Sequence, residues 1–382
     1  MNLRTITVGT TLSFIGLIYL AQTFGWRQGA LFLVGLSAGL VLYHAAFGFT
    51  SAWREVVITG RGAGLRAQLL MLAVTTLVFL PLLADGQLWG TELHGAVRPL
   101  GVSVLVGAFL FGLGMQMGGG CASGTLFTVG GGSTRMVVTL SAFIAGSALG
   151  AFHRPTWDLM PGVGPISLQV EIGTAGAMVV TIGLLALAWA GSAIMERRRY
   201  GSLLGLGTRA PRQAWLRGPW PLVAGALGLA AVNIATLALA GRPWGVTSGF
   251  ALWGSKAAAI AGLDVASWAY WQSPAAAATL EASVFGDITS VMNFGIILGA
   301  LIAAGLAGRF APVWRVPARS LFAAIVGGLL LGYGARIAYG CNIGAYFSGV
   351  ASSSAHGWVW LFAAFAGSAL GTRLRPLFRL DG

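Results

Sequence analysis

The sequence predicts an all-α, polytopic membrane protein built from two similar halves, and three observations carry that prediction. Hydrophobic residues make up 56% of the 382 residues and charged residues only 9%, against roughly 25% charged in a soluble globular domain. Mean hydropathy is +0.80. Apolar stretches of about 20 residues, the length needed to cross a bilayer, recur along the whole chain, and two long segments of it resemble each other. This composition excludes a soluble enzyme, a disordered chain and a nucleic-acid binder, even though the formal net charge is +13. The 22 arginines and single lysine, Lys256, lie mostly between apolar stretches, the pattern that orients membrane spans. The 59 glycines, about twice the usual share, suit close helix packing and broken helices.

In chain order, apolar stretches fall near 5–24, 29–49, 67–84, 99–117, 134–152, 167–194, 219–241, 245–263, 288–308, 319–339 and 355–372. The first reads as a span rather than a cleaved leader, because no small-x-small cleavage site follows Leu20. The longest polar stretch, 195–218, carries Arg197, Arg198, Arg199, Arg209, Arg212 and Arg217. We therefore expect a first transmembrane half over 1–194, a basic cytoplasmic linker over 195–218 and a second transmembrane half over 219–382.

Residues 106–155 and 326–376 align. Cys121 matches Cys341 at an offset of 220, while the AGSALG blocks and the pairs Arg154-Pro155 and Arg375-Pro376 match at 221. Such duplication is a common transporter plan. Charge placement predicts that the repeats are inverted. Arg54, Arg61 and Arg66 mark 54–66 as cytoplasmic, whereas its counterpart 264–287 holds Asp264, Glu281, Asp287 and no basic residue. Likewise 85–98 reads as external and 309–319, with Arg309, Arg315 and Arg319, as internal. The scheme needs one stretch that does not cross, and 245–263 is the expected re-entrant segment.

Each cysteine sits in a glycine-rich interruption of an apolar segment. Residues 118–125 read GGGCASGT and residues 339–344 read YGCNIG. Glycine costs a helix about 1 kcal/mol per residue, and open backbone survives at membrane depth only inside protein or around an aqueous path. The expectation is a helix, a mid-membrane loop and a short helix, once per half. The candidate binding residues are Cys121, Gly119, Gly120, Ser123 and Thr125 in the first loop, and Cys341, Gly340 and Asn342 in the second, joined by the intramembrane Arg336. Loop N–H groups, short-helix N-termini and neutral donors with no nearby carboxylate favour an anion or a neutral solute over a metal cation. Thiols are soft and polarizable, which suits a sulfur-bearing solute. A redox pair is the rival chemistry, although no CxxC motif occurs. Arg336 either attracts an anion or snorkels to an interface. No cofactor, metal or nucleic-acid partner is expected. Met115, Gln116 and Met117 read as packing, His44 as a hydrogen-bonded or interfacial histidine and Asp287 as an N-cap.

The paired GGGCASGTLF and YGCNIGAYFSG loops, each followed by AGSALG, resemble the sulfur-transport repeats of the YeeE/YedE family, as do PWGVTSGFALWG (243–254) and DITSVMNFGIILGALIAA (287–304). The resemblance implies an inner-membrane protein of hourglass shape with inverted repeats. It also implies thiosulfate uptake through a central constriction, the solute making transient thiol contacts at Cys121 and Cys341. Some relatives carry a further cysteine in an RSRFCF-like segment, where this chain has His44–Phe49 and places Gly48 at the cysteine position. A TusA-like sulfur carrier is the implied cytoplasmic partner, with the 195–218 linker as its basic docking face. The alternatives are a membrane-embedded persulfide-transfer enzyme and a selenium-related transporter.

Overall fold

The structure is a computed structural model that describes residues 1–207 and 214–380. Two predicted linker arginines, Arg209 and Arg212, lie outside the described residues. Strands among the described residues form two antiparallel pairs, Gln87–Leu88 with Thr91–Glu92 and Pro99–Gly101 with Gly162–Pro165. The rest of the architecture is helical. Among the described residues, nine helical segments are long and apolar enough to cross a membrane. The chain is a multi-pass membrane protein.

The first half of the sequence forms α1 (Leu3–Phe24), α2 (Trp26–His44), α3 (Phe49–Thr59), α4 (Ala63–Asp85), α5 (Val102–Gly118), α6 (Ala122–Gly130), α7 (Thr134–Phe152), the short α8 (Arg154–Asp158) and the long α9 (Leu168–Tyr200). The remainder forms α10 (Ala214–Arg217), α11 (Leu222–Ala240), α12 (Thr247–Ile260), α13 (Pro274–Glu281), α14 (Ile288–Ala307), α15 (Ala318–Ile337), a π-helical turn Asn342–Phe347 that continues into α16 (Ser348–Ala351), and α17 (Ala355–Leu374). Every apolar stretch of the sequence became a helix. The stretch 29–49 differs from expectation by breaking. α2 stops at His44, whose carbonyl accepts from the Trp220 amide at 2.7 Å, and Ala46 takes a left-handed backbone (φ 45°). The chain then restarts as α3, eleven residues or roughly 16 Å long. α12 is similarly short, with 14 residues or roughly 21 Å. Both fall short of the ~30 Å hydrocarbon layer.

The packing is reciprocal between the halves. α5 packs on α17 and α15 packs on α7, while α5 and α15 also pack on each other. α2 lies on α14 and α4 on α11, and the outlying α1 and α9 lie on α14 and α4. Small residues set these distances. Gly107 faces the Gly334 carbonyl and Gly114 faces the Gly327 carbonyl, so the numbering runs in opposite senses and α5 and α15 are antiparallel. By the same reading α7 and α15 are parallel, with Gly146 against Leu329 and Gly150 against Arg336. One continuous buried core includes both cysteines together with residues of α2, α4, α5, α11 and α17.

Candidate functional site

The first cysteine loop is three residues long. α5 ends at Gly118, Gly119 turns the chain with φ +92°, and Cys121 is the N-cap of α6. The Cys121 thiol accepts from the Gly124 amide at 3.4 Å and lies 3.6 Å from Ser123 Oγ. Thr125 Oγ1 donates to the Cys121 carbonyl at 2.8 Å, so its hydroxyl is engaged by backbone. The carbonyls that end α5 are met by guanidinium groups. Arg135 donates to Met117 and Gly118, each at 2.7 Å, and Arg375 donates to Gln116 at 2.9 Å. Cations are favoured at a helix C-terminus because its free carbonyls carry partial negative charge.

The second loop follows the same course with different residues. α15 ends at Ile337, Tyr339 adopts φ +62° where the first half has Gly119, and Gly340 follows. Cys341 stands at the N-cap position, but its side chain makes no cap bond, and the next turn is a π-helix. Such turns are rare and concentrate at functional sites. Asn342 is fully buried, and neither atom of its amide has a partner among the described residues. The Tyr346 hydroxyl and the Trp360 indole N–H are in the same state. Tyr346 stacks on Trp360 (ring centroids 6.4 Å apart) and meets Phe49 and Trp53 edge-on. A buried polar group without a partner costs about 1–3 kcal/mol, so packing alone does not account for three such groups gathered beside Cys341. Both thiols are about 1% exposed. The two cysteine-headed turns touch each other.

Above the second loop is an arginine-lined concavity. Two adjoining cavities, of about 630 and 310 Å³, share Arg98, Ser248, Arg336 and Tyr339. The larger adds Arg154, Asp158 and Tyr270, and the smaller adds Arg242, Gly340, Gly344 and Ser348. The concavity therefore descends to the glycines flanking Cys341. Among the described residues its one lining carboxylate, Asp158, is paired with Arg154 at 2.7 Å. Arg336 donates to the Tyr270 hydroxyl at 2.8 Å and Arg242 to Thr289 Oγ1 at 3.3 Å. Burial lowers the affinity of the Arg98 guanidinium for its proton, and the charges of Arg336 and Arg242 push the same way. Four arginines against one paired carboxylate give the concavity a positive lining. Arg336 was singled out in the sequence and lies in this wall. Arg98 and Arg242 were missed, because neither differs locally from an ordinary loop arginine.

A third cavity, of about 390 Å³, is lined by Phe47, Gly48, Ser51, Glu55, Gln68, Leu204 and Gly205, among others. Gly48 opens onto it. Leu204 is held there by a buried carboxylate: Glu196 accepts from the Leu204 amide at 2.8 Å, the Gly62 amide at 2.9 Å and Arg66 at 2.8 Å. Among the described residues no group of three His, Cys, Asp or Glu side chains could hold a metal ion.

A family model described as sulphur transport matches residues 44–370, which takes in both cysteine loops and the arginine concavity. The chain belongs to this sulphur transport family. Its named relatives are transporters. A thiosulfate transporter TsuA of Spirochaeta thermophila is 28% identical over 349 residues, covering 86% of this chain and 92% of the relative. A second TsuA, from Escherichia coli, is 24% identical over 86% of this chain and 89% of its own length. A probable transporter YedE of Escherichia coli is 31% identical over 173 residues, and the match spans 44% of this chain and only 42% of that relative. Within the family this chain is thus alignable over nearly its full length with proteins named for thiosulfate.

Proposed function

We propose that the protein takes up thiosulfate, or a related small sulfur-containing anion, across the inner membrane. In this reading the two halves are inverted repeats about a pseudo-twofold axis, forming an hourglass whose waist is the pair of cysteine loops. The reciprocal packing of α5 with α17 and α7 with α15, and the antiparallel course of α5 and α15, support it. The anion enters through the concavity of Arg98, Arg242 and Arg336, on the outer side. It exchanges water for the side-chain amide of Asn342, which has no partner among the described residues, beside the glycines that flank Cys341. The sulfur end makes transient contacts with the Cys341 and Cys121 thiols, with Gly119, Gly120, Ser123 and Thr125 shaping the second station. No lasting bond forms. The solute leaves toward the cavity at Gly48, and a TusA-like carrier docks on the arginines of the linker, of which Arg197, Arg198 and Arg199 are exposed.

The single observation that carries this reading is an arginine-lined cavity with its only acid paired, ending at the loop of a buried thiol. The same burial disfavours the persulfide-transfer alternative, since a carrier protein must reach the sulfur it exchanges. The test is growth on thiosulfate as sole sulfur source in a host lacking its own sulfate and thiosulfate importers. We expect the wild-type chain to support growth and the Cys121→Ala and Cys341→Ala variants to fail. Full-rate uptake by a Cys121→Ser/Cys341→Ser double variant would refute the thiol mechanism. Absence of growth with the protein present in the membrane would shift the solute to another sulfur or selenium compound.

A further inference from the structure

We infer that Arg154 and Arg375 are crossed positioning residues, each belonging to one half of the chain and fixing the end of the helix that leads into the cysteine loop of the other half. Arg154 Nη1 donates to the Arg336 carbonyl at 3.1 Å. Its guanidinium lies over the Tyr339 ring, 4.0 Å from the centroid. Tyr339 stands two residues before Cys341 and holds the left-handed backbone that turns the chain toward the thiol. On the other side Arg375 Nη1 donates to the Gln116 carbonyl at 2.9 Å. Gln116 precedes Cys121 by the same five residues that separate Arg336 from Cys341. The donors are the arginines of the two Arg-Pro pairs, so one bond is made twice, and each time it crosses between halves.

The physical effect is local. A guanidinium on a terminal carbonyl forms a charge-assisted hydrogen bond, stronger than a neutral one, at the end where the helix carries partial negative charge. Holding that carbonyl fixes where the helix stops, and so the direction in which the glycine turn departs. The two ends are not held equally. α5 is also gripped by Arg135 at Met117 and Gly118. The residue at the matching place in the second half is His356, which pairs with Ser354 Oγ at 2.9 Å instead. The Cys341 turn therefore leans on Arg154 more than the Cys121 turn leans on Arg375.

The consequence for transport rests on the function proposed above, but the positioning itself can be read without it. The experiment labels single-cysteine chains, Cys121→Ala or Cys341→Ala, in membranes with methyl methanethiosulfonate, a small uncharged reagent, and follows the mass change with time. Arg154→Gln is expected to change the labelling rate of Cys341 by about tenfold, as for loss of one charge-assisted hydrogen bond, and to leave Cys121 unaltered. Arg375→Gln is expected to do the reverse, with a smaller change. Arg154→Lys, which keeps the charge and a donor, should recover part of the wild-type rate, and it carries the test if Arg154→Gln fails to accumulate. Unchanged rates, or equal changes at both thiols from either substitution, would overturn the inference. Labelling requires no solute, so a failed growth assay would count against the transport reading and leave this one intact.

Discussion

Gly114 and Gly327 face each other where α5 and α15, the helices that lead into the cysteine loops, cross: a methyl group on Gly114 would stand 2.7 Å from the Gly327 carbonyl oxygen, and one on Gly327 would overlap the backbone of Gly118. Without a hydrophobic drive between helices in lipid, such close backbone approach supplies the van der Waals packing that holds a membrane bundle together. It also ties the level of Gly118, three residues from Cys121, to the middle of α15.

Gly327→Val should consequently force α5 and α15 apart, at a cost of about 3 kcal/mol or more, the upper end for overpacking. Gly183 on α9 has open space around it, and Gly183→Ala should be neutral or stabilising by up to about 1 kcal/mol, as for glycine replaced within a helix. Thermal unfolding of the purified protein in detergent, read alongside its elution profile, separates the two. Equal melting temperatures for both variants would mean that the crossing tolerates separation.

The arginine concavity predicts a kinetic signature. Arg98→Gln and Arg242→Gln each remove one charge from a set with no unpaired acid. Each should raise the half-saturating thiosulfate concentration by about tenfold, the order of one close charge–anion contact, and weaken the dependence of uptake on ionic strength. Maximal uptake should change little, because both side chains line the concavity and belong to neither cysteine loop. A fall in maximal rate at unaltered half-saturation would place these arginines at the rate-limiting passage instead of at entry.

The sequence made the architecture readable because lipid imposes a simple rule: a long apolar run must be a helix. Each apolar stretch from 5–24 to 355–372 is helical, with 29–49 broken near its end. The break at Ala45–Gly48 was hidden because those residues are as apolar as their surroundings, and the interruption is made by tertiary bonds such as Trp220 N–H to the His44 carbonyl. The cysteine loops were legible for the opposite reason, since clustered glycines weaken a helix in the very setting where lipid demands one. The arginines were only half legible. Arg336 stood out inside a span, whereas Arg98 and Arg242 acquire meaning only when the fold brings all three to one cavity. Nothing in the sequence marks Glu196, which stands beside Arg197, Arg198 and Arg199, yet it is fully buried and binds Arg66 from another helix.

That carboxylate sets a further expectation. Glu196 accepts hydrogen bonds from Arg66, Arg61 and the Gly62 and Leu204 amides, joining α9 to the start of α4 and holding Leu204 over the cavity at Gly48. Removing one partner of a buried pair leaves the other charge uncompensated, a loss of about 3–5 kcal/mol. Glu196→Gln should lower the melting temperature markedly. A double Arg66→Leu/Glu196→Leu variant should lose less than the sum of the two single losses, and strict additivity in this cycle would show that the two groups act independently.

Asn342 offers the sharpest separation of stability from function. Its amide is fully buried beside Cys341 with neither atom partnered among the described residues, so its presence costs the folded chain about 1–3 kcal/mol. A leucine of similar volume has no polar group to leave unsatisfied. Asn342→Leu should therefore melt at the wild-type temperature or above it, while thiosulfate uptake falls severely. A residue kept for packing would behave in the opposite way, losing stability when replaced and leaving uptake proportional to the folded protein in the membrane. Measuring melting temperature and uptake per folded molecule on the same preparation decides between these. If the leucine variant transports at the wild-type rate, the amide has no part in holding the anion beside Cys341.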